Sequence, residues 1–208
     1  MDGTLDGERI RSCYLGAANA FLELVGQVPE GAWAQPALGE WDVRGLTGHA
    51  SRALGTVESY LSTPAAGELV DGPVAYFLAV RRAADPEMIA QRGRDAGQAL
   101  GDDPAAAVQD LVQRVTTLLG NTPDDAAVGT PAGAMTLTGY LPTRTFELAV
   151  HSLDLARALD LPAPPALRPA VAASLELAAA VGAHLPTAAE LLLLLTGRSG
   201  LPGNLSVL

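Results

Sequence analysis

RTFELAVHSLD, residues 144–154, decides how the rest of the chain is read. Glu147 and His151 stand four residues apart. On a helix that spacing puts them on one face, with Cβ atoms roughly 5–6 Å apart. They lie on or beside the apolar stripe of Phe146, Val150 and Leu155, so at least one of them is expected to be partly buried. A buried, unpaired carboxylate is costly. A metal cation removes that cost, and a carboxylate and an imidazole at this separation can chelate one ion without bending the backbone.

A catalytic zinc needs three protein ligands and keeps its fourth position open for water or substrate. The other two histidines are His49 and His184. His49 falls on the inward face of a helix opened by Asp42, in line with Val43, Leu46, Ala50, Ala53, Leu54 and Val57. His184 precedes Leu185-Pro186 at a helix end, where an imidazole meets the dipole favourably, and takes no ligand role. The reading is therefore a two-histidine, one-carboxylate site of His49, Glu147 and His151. Zinc is the first choice of ion, although nickel, iron and manganese suit the same donors. Asp154, three residues past His151, is placed to hold the free ring nitrogen of a metal-bound histidine. Arg144, three residues before Glu147, is placed to orient the glutamate or to bind an anionic substrate group. Trp41 reads as a core anchor and Cys13 as a small buried hydrophobe.

Working outward, the first helix is expected from Leu5 to Val28 and the second from about Trp41 to Leu61. PEGAWAQPALGE (29–40) and TPAAGELVDGP (63–73) read as loops. Residues 74–100 read as helical with a break at Asp85-Pro86, because proline disfavours helix at the residue before it. A helix over Pro104–Leu119 and a long connection over 120–139 follow, and AMTLTGYL (134–141) reads as a short extended piece. The ligand-bearing helix is expected from Pro142 to Leu159, since proline suits a first helical turn. Helices over Ala166–His184 and Ala188–Thr196 close the pattern. The sum is an all-α fold, a four-helix bundle with additional C-terminal helices. Residues 1–160 are expected to form the metal-binding bundle, and 161–208 a short helical extension packed on it.

Composition narrows the function. Ala and Leu dominate while aromatics make up only 4%, a balance that favours helix. Thirteen basic residues against 23 acidic ones give a net charge of -10, which argues against nucleic acid or an anionic membrane as partner, since both are held by Lys and Arg. One cysteine cannot form an internal disulfide, no apolar run approaches membrane-spanning length, and the N-terminus has no signal-peptide core. A cytoplasmic monomer or homodimer is expected. Nucleotide-binding, serine-hydrolase and HExxH signatures are absent.

EWDVRGLTGHASR (40–52) resembles the tryptophan–helix–histidine motif of the DinB-like metal-binding proteins. More narrowly, it is similar to that of the N-terminal domain of mycothiol-dependent maleylpyruvate isomerases. RTFELAVHSLDLARAL (144–159) resembles the second motif of that group, and LLLLLTGRSGLPGN (191–204) the end of many actinobacterial members. Gly45 stands where many relatives carry an acidic residue. The resemblance implies a DinB-like bundle with a divalent metal, usually zinc, on His49, Glu147 and His151. It also implies a thiol cofactor, mycothiol, and a small electrophile as substrate. The expected activity is S-transfer or cis–trans isomerisation. The alternatives are a protein that binds a metal or small ligand without turnover, and a structural bundle that acts through a protein partner.

Overall fold

In the computed structural model the described residues are 7–83 and 85–198. They form eight α-helices and two small antiparallel hairpins. Helix α1 spans Gly7–Val25, α2 Val43–Leu61, α5 Pro104–Gly120 and α6 Leu137–Ala158. These four make the bundle: α1 packs on α5 and α6, and α2 packs on the same two from the other side. The all-α expectation holds.

Each bundle helix turns an apolar stripe inward. Tyr14, Ala17, Phe21 and Leu24 of α1 are fully buried, as are Val43, Leu46, Ala50 and Val57 of α2. Two tyrosine hydroxyls find partners across the core, as their burial favours. The Tyr14 hydroxyl donates to the Ala53 carbonyl at 3.1 Å and the Tyr140 hydroxyl to Thr56 Oγ1 at 3.0 Å. Arg11 fastens α1 to the end of α5, donating to the carbonyls of Leu119 and Thr122 and to Asp124 Oδ1.

The break at Asp85-Pro86 separates α3 (Gly72–Arg82) from α4 (Pro86–Ala99). The Asp85 carboxylate caps α4 by accepting from the amides of Glu87 and Met88. Helix α4 lies along α2 at very short range. A Cβ on Gly48 of α2 would fall 2.1 Å from the Gly97 backbone nitrogen, and one on Gly93 would fall 2.5 Å from the Trp41 indole. Hydrogen there is what lets the helices touch. The sequence carried this signal in the four-residue spacing of Gly93 and Gly97, which the periodicity reading passed over.

The loop at 29–40 holds a 3-10 turn (Glu30–Ala32) and the first strand of a small hairpin, β1 (Pro36–Leu38) with β2 (Trp41–Asp42). A second hairpin pairs β3 (Ala127–Thr130) with β4 (Gly133–Thr136). The extended piece therefore ends at Thr136. Residues 137–141, expected as extended, are already helix. Helix α6 starts five residues before Pro142 because Thr136 caps it, its hydroxyl accepting from the Gly139 amide at 3.1 Å. Pro142 thus sits inside the helix, not at its start, and has no N–H to give the Thr138 carbonyl four residues back.

Beyond α6 come a 3-10 turn at Pro165–Leu167, then α7 (Arg168–Gly182) and α8 (Ala188–Leu195). Helix α7 packs on α1, α3 and α6, and its Ala170, Leu177 and Val181 join the common core. Helix α8 buries none of its residues. The expected start of α1 at Leu5 and the end of the closing motif, 199–204, lie outside the described residues.

Candidate metal centre

Two neighbouring bundle helices bring the expected ligands together. Asp42 caps α2, its carboxylate accepting from the Gly45 amide at 2.7 Å. His49 follows two turns later on the inward face. Glu147 and His151 occupy successive turns of α6. One donor atom from each of His49, Glu147 and His151 can be chosen so that all three lie within 4.8 Å of one another. Glu147 Oε2 is 3.4 Å from His151 Nε2 and 3.9 Å from His49 Nε2. Two imidazoles and a carboxylate converging at this range form a donor set suited to a divalent cation. All three side chains are half-buried, so the cluster keeps a route to solvent. His184 is exposed and far from this group in its role, lying just past the end of α7.

Trp41 is more than a core anchor. Its ring stacks on His49 with centroids 4.3 Å apart, and its indole N–H donates to the Ala90 carbonyl of α4 at 2.8 Å. The glycines of α4 let this plate lie flat between helices and fix the His49 ring. His49 Nδ1 is buried and has no hydrogen-bond partner among the described residues.

Asp154 sits where expected: its Oδ2 is 3.2 Å from His151 Nδ1, leaving Nε2 toward Glu147. Replacing it with Asn should weaken divalent-metal affinity roughly 10–100-fold, the cost usual for a lost partner of a ligating histidine. Competition against a zinc-chelating dye measures this, and an unchanged affinity would separate Asp154 from the site.

Arg144 is buried. Its Nε donates to Thr143 Oγ1 at 3.0 Å and its Nη2 to the Tyr76 hydroxyl at 3.4 Å. The guanidinium lies over the rings of Tyr140 and Tyr76, 5.0 and 5.6 Å from their centroids. It forms no ion pair with a carboxylate among the described residues.

The charges of the group are strongly coupled. Burial opposes a charge on Glu147, but the His151 hydrogen bond and the Arg144 cation hold its pKa down at about 2. Burial likewise opposes a charge on His151, yet its hydrogen bonds to Asp154 and Glu147 raise the pKa to about 9. Burial and the charge on His151 lower His49 to about 4. At neutral pH the metal-free cluster is therefore a protonated His151 between two carboxylates, with His49 neutral. A ligating His151 must give up its Nε2 proton. Zinc binding at pH 7 should thus release about one proton per ion. Affinity should rise with pH until it levels off near pH 9. Calorimetry in buffers of different ionisation enthalpy reads the proton count directly; zero release would contradict this charge state.

No helix among the described residues is long and apolar enough to cross a membrane. Comparison with curated proteins and with solved structures gives no match. A family model does match: that of the mycothiol maleylpyruvate isomerase N-terminal domain, over residues 14–156. This span includes both histidines of the cluster, Glu147 and Asp154, and every helix of the bundle but the first turns of α1 and the last of α6. The chain belongs to the family of the mycothiol maleylpyruvate isomerase N-terminal domain.

Proposed function

We propose that this protein is a metal- and thiol-dependent enzyme that carries out S-transfer to, or cis–trans isomerisation of, a small electrophile. The observation that carries the reading is the convergence of His49, Glu147 and His151 within 4.8 Å. Three protein ligands, with no fourth among the described residues, suit an ion that keeps a position for an exogenous group. Zinc is the ion this donor set suits first, mycothiol is the thiol that the family's description names, and the proposed compartment is the cytoplasm. A divalent ion held there favours the thiolate of an approaching thiol, its nucleophilic form.

The surrounding residues position the reactants. In isomerisation the thiol sulfur adds to one carbon of a double bond, the resulting single bond rotates, and the thiol is expelled with the double bond restored. In S-transfer the neighbouring carbon instead takes up a proton, equivalent to the one the thiol gave up, and the thioether is released. Arg144 supports an anionic group on either reactant. So does Arg52, half-buried one turn past His49 and close enough to influence its charge. Neither guanidinium pairs with a carboxylate among the described residues, although acidic residues outnumber basic ones 23 to 13 in the chain. Asp154 holds the His151 ring, and Trp41 walls the site beside His49.

The test is thiol dependence. Zinc-loaded protein is assayed with mycothiol and a panel of small electrophiles, with and without the thiol, alongside Glu147→Ala. Turnover that needs both the thiol and Glu147 supports the proposal. A protein that binds zinc stoichiometrically yet shows no thiol-dependent turnover across the panel would be a binding protein instead.

A further inference from the structure

A cavity of about 540 Å³ lies on the opposite side of α6 from the metal cluster. Thr138, Pro142 and Thr145 line it; by the 3.6-residue turn they share one stripe of the helix, and Glu147 and His151 share the reverse stripe. The other walls come from α1, α7 and the segment leading into α3. Ile10, Val70, Leu177 and Ala180 make them largely apolar, and the volume is that of a small-molecule site.

The charged side chains lining this cavity are all acidic. Asp71 and Glu176 line it, are exposed, and have no hydrogen bond or ion pair among the described residues. None of the lining residues is Lys, Arg or His. Pro142 cannot donate to the Thr138 carbonyl, so the wall formed by these two residues lacks one amide donor. Ser174 also lines the cavity, and its buried hydroxyl has no partner among the described residues. An apolar cavity with two unpaired carboxylates at its edge and a buried hydroxyl free to accept complements a ligand that brings an alkyl body and a positively charged donor. Its lining offers a carboxylate no cationic side chain.

We propose that this cavity binds an aliphatic amine, with the alkyl chain between α1, α6 and α7 and the ammonium beside Asp71 and Glu176. The site is independent of the metal cluster and of the reaction proposed there. It has a built-in reporter, because Cys13, the one cysteine of the chain, lies in its wall.

The experiment follows the rate at which methyl methanethiosulfonate, a small neutral thiol reagent, modifies Cys13 in the full chain. The probes are 1-octylamine, 1-octanol and octanoate, which share a chain length and differ in head-group charge. Octylamine should protect Cys13 at concentrations roughly 3–10-fold lower than octanol does, the range that two exposed ion pairs supply, and octanoate should protect least. In Asp71→Asn/Glu176→Gln the amine should fall to the level of the alcohol. Ala180→Trp, at an exposed position on the cavity edge, should weaken all probes while circular dichroism stays unchanged. Equal protection by the three head groups, or an amine advantage that survives the double variant, would overturn the proposal. So would the absence of protection by any probe.

Discussion

His151→Ala is expected to lower bound zinc from about one ion per chain to near background, since two remaining protein donors do not hold this ion well. Plasma mass spectrometry on purified protein gives the number. The loss should be larger than for a typical single ligand because the substitution removes more than a donor. Glu147 Oε2 and Asp154 Oδ2 both rest on the His151 ring, at 3.4 and 3.2 Å. Without the ring, Asp154 loses the partner that holds it to the cluster and Glu147 keeps only His49 Nε2 at 3.9 Å. His49→Ala and Glu147→Ala should lose metal as well, whereas Cys13→Ala should keep it, because Cys13 lines the cavity on the far side of α6. Equal metal content in wild type and His151→Ala would sink the assignment.

Gly48→Ala should destabilise the fold by about 2–3 kcal/mol, the upper range for overpacking a tight contact. Elsewhere a glycine-to-alanine change in a helix is usually a gain of about 0.5–1 kcal/mol. The difference lies in what the new methyl meets. At Gly48 it meets backbone of α4, 2.1 Å away, which no side-chain rotation can relieve. At Gly16 in α1 nothing lies within 4 Å, so Gly16→Ala is the control and should stabilise. Urea denaturation of the two variants tests the pair. If both variants moved stability the same way, close contact between α2 and α4 would not be what holds them. Because α4 also carries the Ala90 carbonyl that anchors Trp41, Gly48→Ala should weaken zinc binding too.

The cluster was legible in the sequence because helices convert spacing into geometry. Glu147 and His151 had to share a face once residues 144–154 were helical. His49 had to point inward once Asp42 opened its helix and Leu46, Ala53 and Val57 set its stripe. What stayed hidden depends on contacts between segments distant in the chain. Trp41 stacks on His49 only because α4 offers Gly93 beneath the indole, 52 residues away. Arg144 was placed beside Glu147 by spacing alone, and its burial follows from Tyr76 on α3, an element whose packing no local pattern reveals. Pro142 misled for a local reason. Its preference for a first turn was real, but Thr136 and its hairpin supplied a better start upstream, and the helix accepted the proline at the loss of one amide bond. The partition into residues 1–160 and 161–208 remains a proposal, although α7 shares its core with α1 and α6.

The origin of the three donors on two helices has a thermodynamic consequence. His49 belongs to α2, and Glu147 and His151 to α6, so an ion shared among them spans the middle of the bundle. It would behave as a reversible crosslink whose strength is set by supply. At a free-ion concentration a hundred times its dissociation constant, such a ligand adds about 2.7 kcal/mol to the folded state. The melting temperature of this protein would then report the metal content of its surroundings, and two preparations of one sequence would differ in stability without differing in a single covalent bond.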